Sequence, residues 1–262
     1  AVYRREVRRL KIVVTSTKGG IGKSTVSAGI ALTLVERGRR VLLCDCDLSG
    51  RCLDLMLGEE SHALFDIGDV AAGRCSPADA LLHPWRIDAL SLCPGPAVYS
   101  ADDFAGDALT AALVGLEAAA GADYVICDTA GMTAAPDICK SFADTALIIA
   151  TQQPASIRAA EATAARLKDS GVRDCRLVIN DFEWREAYSG ERAGILDIID
   201  GSGVMCAGIV PHDRTLMLAG ESGIRPPEGR ARTAFGNIAA RLEGEYVKLF
   251  EGIGGISKRR AL

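Results

Sequence analysis

The chain has 262 residues, and 48% of them are aliphatic, aromatic or cysteine. This length allows one sizeable α/β domain and is short for two ordinary domains, and the apolar fraction allows a large core. The formal charge of −4 argues against nucleic-acid binding driven by net charge, and the nine cysteines include no C-x-x-C pair of the zinc-ribbon or thioredoxin type.

Seven short apolar runs predict β-strands, and several are apolar at every position, as in strands that are covered on both faces. These runs are residues 10–16, 40–45, 90–95, 123–128, 146–151, 176–180 and 207–211. Longer stretches between them predict helices, among them residues 23–38, 106–121, 154–171 and 232–246. The alternation predicts a single α/β domain with a doubly wound, mostly parallel sheet flanked by helices and ligands at the carboxyl ends of the strands.

The segment TSTKGGIGKST, residues 15–25, lies between the first predicted strand and the first predicted helix. Glycines let backbone N–H groups turn inward without Cβ clashes, and the helix N-terminus adds its positive dipole end, so the segment predicts a cradle for phosphates. Lys23 would reach the β- and γ-phosphates, and the Ser24 hydroxyl would bind Mg²⁺. The predicted nucleotide-binding residues here are Lys18, Gly19, Gly20, Ile21, Gly22, Lys23, Ser24 and Thr25.

The loop departs from the strict pattern G-x-x-x-x-G-K-[ST], because Thr17 stands where the first glycine belongs. The pattern K-G-G-x-G-K-[ST] resembles the deviant phosphate loop of the MinD/ParA family of ATPases. The resemblance covers roughly residues 10–245 and is closer to MinD members than to plasmid-partitioning ParA members. It implies a P-loop NTPase fold, ATP with Mg²⁺ as cofactors, and a homodimer in the ATP state in which Lys18 contacts the partner's nucleotide. Such a cation would make hydrolysis conditional on dimerisation.

Two aspartates follow the second predicted strand, and Asp45 and Asp47 point to the same side of an extended chain. In the family this segment is a switch whose second aspartate helps to position the hydrolytic water, whereas Asp45 could also be a capping or turn residue. The family has Asn or a similar polar residue where Cys52 stands, so this departure affects the expected hydrogen bonding of the switch. The catalytic candidates are Lys18, Lys23 and Asp47.

Asp128 ends the fourth predicted strand, DYVICD. A Walker B aspartate in this setting holds Mg²⁺ from the second shell. The following TAGM segment lacks the proline that is common in the family, so the loop after Asp128 is a weaker match than the aspartate itself. The predicted metal-binding residues are Ser24, Asp47 and Asp128.

Two later segments carry the predicted contacts to the nucleotide base. Asn180 follows an apolar run, and its amide offers a donor and an acceptor to an adenine edge. The segment GIVPHDR, residues 208–214, resembles a base-contacting loop of the family and has Pro211 and Asp213 at the matching positions. ATP rather than GTP is implied mainly by the resemblance, since Asn after a strand is also an ordinary turn former.

The final segment, residues 246–262, bears on membrane binding, and we separate it as a tail from an ATPase domain at residues 1–245. MinD proteins end in a short amphipathic helix that lies on the bilayer surface. An apolar stripe is available here from Tyr246, Leu249, Phe250, Ile253 and Ile256. The KRR cluster near the end favours anionic lipid, whereas three interspersed glycines oppose a helix. Weak binding to an anionic membrane and a solvated C-terminus both remain open.

The resemblance implies septum placement as the task, with a MinC-like division inhibitor and a MinE-like activator as partners. Because no apolar run has the length of a signal peptide core or a membrane span, we expect a cytoplasmic protein that is peripheral at the inner face of the cell membrane at most. Two other classes stay open. A metallocluster carrier or metalloenzyme maturation ATPase needs paired cysteines at a dimer face, and a ParA-type ATPase binds nonspecific DNA with strong salt dependence.

Overall fold

The computed structural model describes residues 9–47, 50–98, 107–130 and 135–249, and this part of the chain contains a seven-stranded sheet. The strands are β1 (Leu10–Thr15), β2 (Val41–Cys46), β3 (Leu90–Cys93), β4 (Tyr124–Thr129), β5 (Thr145–Ala150), β6 (Cys175–Phe182) and β7 (Cys206–Pro211). They lie in the order β3-β2-β4-β1-β5-β6-β7, and the paired strands run parallel. The seven predicted strands and the parallel sheet are confirmed.

Helices link the strands and cover both faces of the sheet. The longer helices are α1 (Lys23–Glu36), α4 (Ala108–Ala120), α6 (Pro154–Asp169), α8 (Ile195–Ser202) and α11 (Gly229–Leu242). The shorter helices are α2 (Leu53–Leu57), α3 (Ile67–Ala71), α5 (Ala135–Ser141), α7 (Trp184–Ser189), α9 (Arg214–Met217) and α10 (Ala219–Ser222), with 3₁₀ turns at Pro77–Ala80 and Pro84–Arg86. A helix that combines the length and the apolar character of a membrane span is absent from the described residues.

The core consists of two apolar layers, one on each face of the sheet. Successive residues of β1 alternate between them, so that Val13 belongs to the layer under α6 and Val14 to the layer under α1. We call these sides the α6 face and the α1 face. Because both faces of the sheet are covered, an apolar side chain is buried at every position of a strand and stabilises it. This explains the continuous apolar runs in the sequence.

The cysteines are concentrated on the α6 face. Its buried layer includes Cys44, Cys46, Cys93, Cys127 and Cys139, and three further cysteines, Cys75, Cys175 and Cys206, pack against it. All nine cysteines are free thiols. Cys44 and Cys46, which lie two residues apart on β2, are therefore part of the core packing.

The first helix is fixed by close contact with the last one. Gly29 of α1 faces the ring of Phe235 of α11, and a Cβ at Gly29 would lie 2.4 Å from that ring. Beyond the helix, Arg37 forms ion pairs with Glu243 at 2.5 Å and with Glu245 at 2.7 Å. These contacts hold α1 against α11 and the residues that follow it.

Several element ends differ from the prediction by a few residues, and two of these differences bear on the site and the tail. Strand β6 continues past Asn180 to Phe182, with an irregular register after Ile179. Helix α11 ends at Leu242, and the chain then folds back, because the Arg241 guanidinium donates to the carbonyl groups of Val247 at 3.2 Å and Lys248 at 2.7 Å. The predicted tail is described only to residue 249, and its remaining residues 250–262, like residues 1–8 of the predicted domain, lie outside the described residues.

Candidate functional site

The loop between β1 and α1 has the conformation that its glycines favour. Gly20 and Gly22 have φ values of 71° and 85°, in the left-handed region that costs glycine little. None of the described side chains caps the N-terminus of α1, which leaves its first N–H groups for an anionic ligand. Lys18 and Lys23 both line the cleft above this loop. The predicted order of strand, glycine-rich loop and helix is confirmed.

Thr17, the residue that replaces the usual glycine, attaches the start of the loop to α6. Its N–H donates to Thr163 Oγ1 at 3.2 Å, and its hydroxyl donates to the Ala159 carbonyl at 3.2 Å. Thr163 Oγ1 in turn donates to the same carbonyl at 2.7 Å. This small network fixes the backbone immediately before Lys18. The sequence pattern alone gave no sign of it, because its members lie about 145 residues apart in the chain.

Asp45 anchors the segment that follows β2. Its carboxylate accepts backbone N–H groups from Asp47 at 3.1 Å, Cys52 at 2.9 Å and Leu53 at 3.1 Å. Burial raises its pKa to about 6, although these three donors oppose the shift. These contacts give Asp45 a capping role, because its carboxylate holds the start of α2.

Asp128 lies at the end of β4, beside the first turn of α1. It is buried, and Ser27 Oγ donates to its Oδ1 at 3.0 Å, while the nearby Ser24 hydroxyl also acts to lower its pKa. Burial, reinforced by the negative charge of Asp45, raises its pKa to about 7. Ser27 was not among the predicted site residues, although its position four residues after Lys23 places it on the same helix face.

Cys52 occupies the position where the resemblance drawn from the loop implies a polar residue, and its thiol contacts the predicted metal ligand Ser24. The Cys52 Sγ donates to Ser24 Oγ at 3.2 Å, and burial raises the pKa of the thiol to about 12, so it is neutral near pH 7. Asp47 and Cys52 both line the cleft. The structure thus brings Ser24, Asp47 and Asp128 to the same edge of the sheet, as predicted.

The predicted base-contacting residues also line this cleft; they are Asn180, Pro211 and Asp213. Asn180 Nδ2 donates to the Ile21 carbonyl at 2.9 Å, and a Cβ at Gly22 would lie 2.4 Å from that nitrogen. Part of the Asn180 amide is therefore used to hold the phosphate loop, a role that sequence reasoning missed.

The cleft is large enough for a nucleotide, since its volume of about 710 Å³ falls within the roughly 300–1,000 Å³ of small-molecule sites. It combines two lysines and helix N–H groups at one end with buried carboxylates beside them. Among the described residues, no group of three or more His, Cys, Asp and Glu side chains is placed to hold a metal ion. A divalent cation here would rely on the Ser24 hydroxyl and on phosphate oxygens, as Mg²⁺ commonly does.

A glycine-rich loop between β1 and α1 of a parallel sheet, with a buried aspartate on the adjacent strand, defines a P-loop nucleotide-binding protein. The protein family described as "CobQ/CobB/MinD/ParA nucleotide binding domain" matches the chain over residues 12–226. The chain belongs to this MinD/ParA family of P-loop NTPases, which confirms the resemblance drawn from the loop.

Similar proteins agree with this assignment along nearly the whole chain. The septum site-determining protein MinD of Bacillus subtilis is 34% identical over 243 residues, covering 91% of this chain and 90% of its own length. The MinC:MinD cell division protein complex of Aquifex aeolicus superimposes with a TM-score of 0.81 at 30% identity, covering 92% of this chain and 98% of that one. MinD of Pyrococcus horikoshii, complexed with Mg-ADP, has the same fold, with a TM-score of 0.76 at 23% identity over 89% of this chain and 95% of that one.

Proposed function

We propose that this protein is a Mg²⁺-dependent ATPase of the MinD type that hydrolyses ATP to ADP and phosphate and acts as a dimerising switch in septum placement. The observation that carries the proposal is the presence of two lysines, Lys18 and Lys23, in one phosphate loop beside Asp47 and Asp128. A loop that only bound phosphate would need one lysine. The second lysine is suited to stabilising the charge that develops in the transition state on the nucleotide bound to another copy of the protein.

Within one subunit, Lys23 and the loop N–H groups from Gly19 to Thr25 bind the β- and γ-phosphates. Ser24 holds Mg²⁺ with support from Asp128 and Asp47, and the ion, when bound, neutralises charge on the phosphates. Burial and the negative charge of Asp45 together raise the pKa of Asp128, so a divalent cation beside this carboxylate would favour its ionised form. The Mg-ADP complex of the P. horikoshii protein supports this choice of cofactor.

For hydrolysis, Asp47 positions the attacking water at the open side of the cleft. Asn180, Pro211 and Asp213, which line the same cleft, contact the adenine base. The Thr17 network fixes the backbone of Lys18, so its side chain is directed by a rigid loop. Preorganised charge of this kind is an efficient way to stabilise a transition state.

Dimerisation supplies Lys18 to the partner's nucleotide, and this makes a kinetic test possible. Phosphate release per mole of wild-type protein should rise with protein concentration until the dimer is saturated. Lys18→Ala should bind ATP with little loss and lose the concentration-dependent turnover by at least about 100-fold, since such cations are worth about 10³–10⁵ in rate. Lys168→Ala, an exposed lysine at the C-terminal end of α6, serves as the matched control. Full turnover by Lys18→Ala at all concentrations would contradict the proposal.

The proposed partners are those that the similar proteins support. The A. aeolicus MinC:MinD complex supports a MinC-like inhibitor, and a MinE-like activator and an anionic membrane surface complete the proposal. Sedimentation with anionic liposomes, comparing the full chain with a form that ends at Glu245, tests the membrane contact. We expect ATP-dependent pelleting that is lost on truncation. Pelleting of neither form would remove the membrane from the proposed function.

The two other function classes predict different results. A metallocluster carrier would purify anaerobically with iron or zinc, but its candidate pair, Cys44 and Cys46, is fully buried in the core. A ParA-type protein would bind nonspecific DNA in an ATP- and salt-dependent manner. Metal analysis and a DNA-binding titration on the same preparation therefore separate these classes from the proposed one.

A further inference from the structure

The cleft continues from the phosphate loop across the sheet towards its β7 edge. Strand β7 lies three positions from β1, which is about 14 Å at the usual spacing of neighbouring strands. Asn180, Asp181, Pro211 and Asp213 line the cleft at this end. A nucleotide whose phosphates lie at the loop would bring its base here, so the inference below rests on the proposed function.

Two of the polar side chains at this end already serve the protein's own backbone. Asn180 Nδ2 donates to the Ile21 carbonyl. The Asp213 carboxylate caps α9 and accepts N–H groups from Thr215 at 2.8 Å and Leu216 at 3.4 Å. These bonds use one donor of Asn180 and one oxygen of Asp213, and Asp181 adds a further carboxylate to the lining of the cleft.

Asp181 has a backbone conformation that only a few residue types accept. Its φ is +54°, and it lies where the pairing of β6 with β7 changes register between Ile179 and Phe182. Irregularities of this kind beside a ligand site re-aim a side chain, and a non-glycine residue with positive φ in a cleft points to a functional constraint. Here the irregularity places Asp181 in the lining of the cleft, with 42% of its side chain exposed.

The Asp181 carboxylate is held in place by His212. The distance from His212 Nδ1 to Asp181 Oδ1 is 2.7 Å, and the His212 backbone N–H donates to the Phe182 carbonyl at 3.0 Å. Because a carboxylate can only accept, Nδ1 must carry the hydrogen. The pair fixes one carboxylate oxygen, and the second is left to meet a ligand.

We propose that Asp181 is a specificity-determining residue that accepts a hydrogen bond from the 6-amino group of adenine, with His212 as its positioning residue. An ionised carboxylate favours the amino group of adenine and repels the 6-oxo group that guanine and hypoxanthine carry at the same position. A site that accepts from an amino group also binds an analogue without it less tightly, because the carboxylate then stays unpaired.

The test measures equilibrium binding of ATP, inosine triphosphate and purine riboside triphosphate, which lacks the 6-amino group. The wild-type protein should bind ATP on the order of tenfold more tightly than either analogue. Asp181→Gly, which tolerates the positive φ, should bind ATP no better than purine riboside triphosphate. Asp181→Asn should lower the preference for ATP over inosine triphosphate at least about tenfold, because an amide N–H can donate to the 6-oxo group.

The controls separate base recognition from damage to the fold. Asp200→Asn, on the exposed surface of α8, should leave all three affinities unchanged. His212→Asn retains an N–H donor near the Nδ1 position and should preserve the preference for ATP. In His212→Ala the ratio of the affinity for ATP to that for the analogues should fall about threefold. Unchanged affinity ratios in Asp181→Gly and Asp181→Asn would overturn this inference alone. A wild-type protein that binds none of the three triphosphates would overturn the proposed function together with it.

Discussion

Replacing Asp128 with Asn should stabilise the nucleotide-free protein, and more strongly as the pH rises. Asp128 is 1% exposed, and burial, together with the charge of Asp45, raises its pKa from 3.8 to about 7. The folded state therefore binds this proton more tightly than the unfolded state. The contribution of Asp128 to the free energy of unfolding is most favourable at low pH and is lost as the pH rises from about 4 through about 7. Full ionisation of such a group costs about 4 kcal/mol.

Asn has nearly the same shape and can accept from Ser27, but it cannot accept from Ser24 through its amide nitrogen. We therefore expect a net gain of about 2 kcal/mol at pH 8 and a smaller one at pH 5. Urea unfolding followed by circular dichroism at pH 5, 6.5 and 8, with a chelator and without nucleotide, measures this difference. Asp88→Asn makes the same change on the exposed surface and is the control. No gain at pH 8, or an equal gain at all three pH values, would refute the reasoning.

Two further substitutions test the loop and the switch. Cys52→Asn, which restores the amide that the family resemblance implies, should raise phosphate release at saturating ATP above that of Cys52→Ala, because an amide donates and accepts hydrogen bonds and alanine does neither; equal rates in the two variants would contradict this. Gly22→Ala requires a side chain at φ +85° with its Cβ 2.4 Å from Asn180 Nδ2, so titration with a fluorescent ATP analogue should show at least about tenfold weaker binding, and wild-type affinity would show that the loop can adapt.

Most of the fold could be predicted from the sequence because its signals are local. A continuous apolar run indicates a strand that is covered on both faces, and the stretch with Val26, Ile30 and Leu34 indicates a helix that ends near Gly38. These signals also fixed where the phosphate loop lies, because a parallel sheet brings the carboxyl ends of β1, β2 and β4 to one edge.

The contacts that join distant parts of the chain could not be predicted in this way. Thr17 meets α6 across 146 residues, and Asn180 meets the phosphate loop across 159. Neither contact leaves a periodic trace in the sequence. The positive φ of Asp181 was equally hidden, because aspartate after an apolar run is an ordinary turn signal, and only the strand pairing reveals that β6 continues past it.

The most direct test of the central proposal is the mass of the protein in solution by sedimentation velocity, with Mg²⁺ and a slowly hydrolysed ATP analogue at saturating concentration and, separately, with ADP. If Lys18 of each chain contacts the triphosphate bound to the other chain, the protein should have twice the chain mass of 27.5 kDa with the analogue. With ADP it should have the mass of a single chain. A single chain in both states would contradict the two-lysine mechanism.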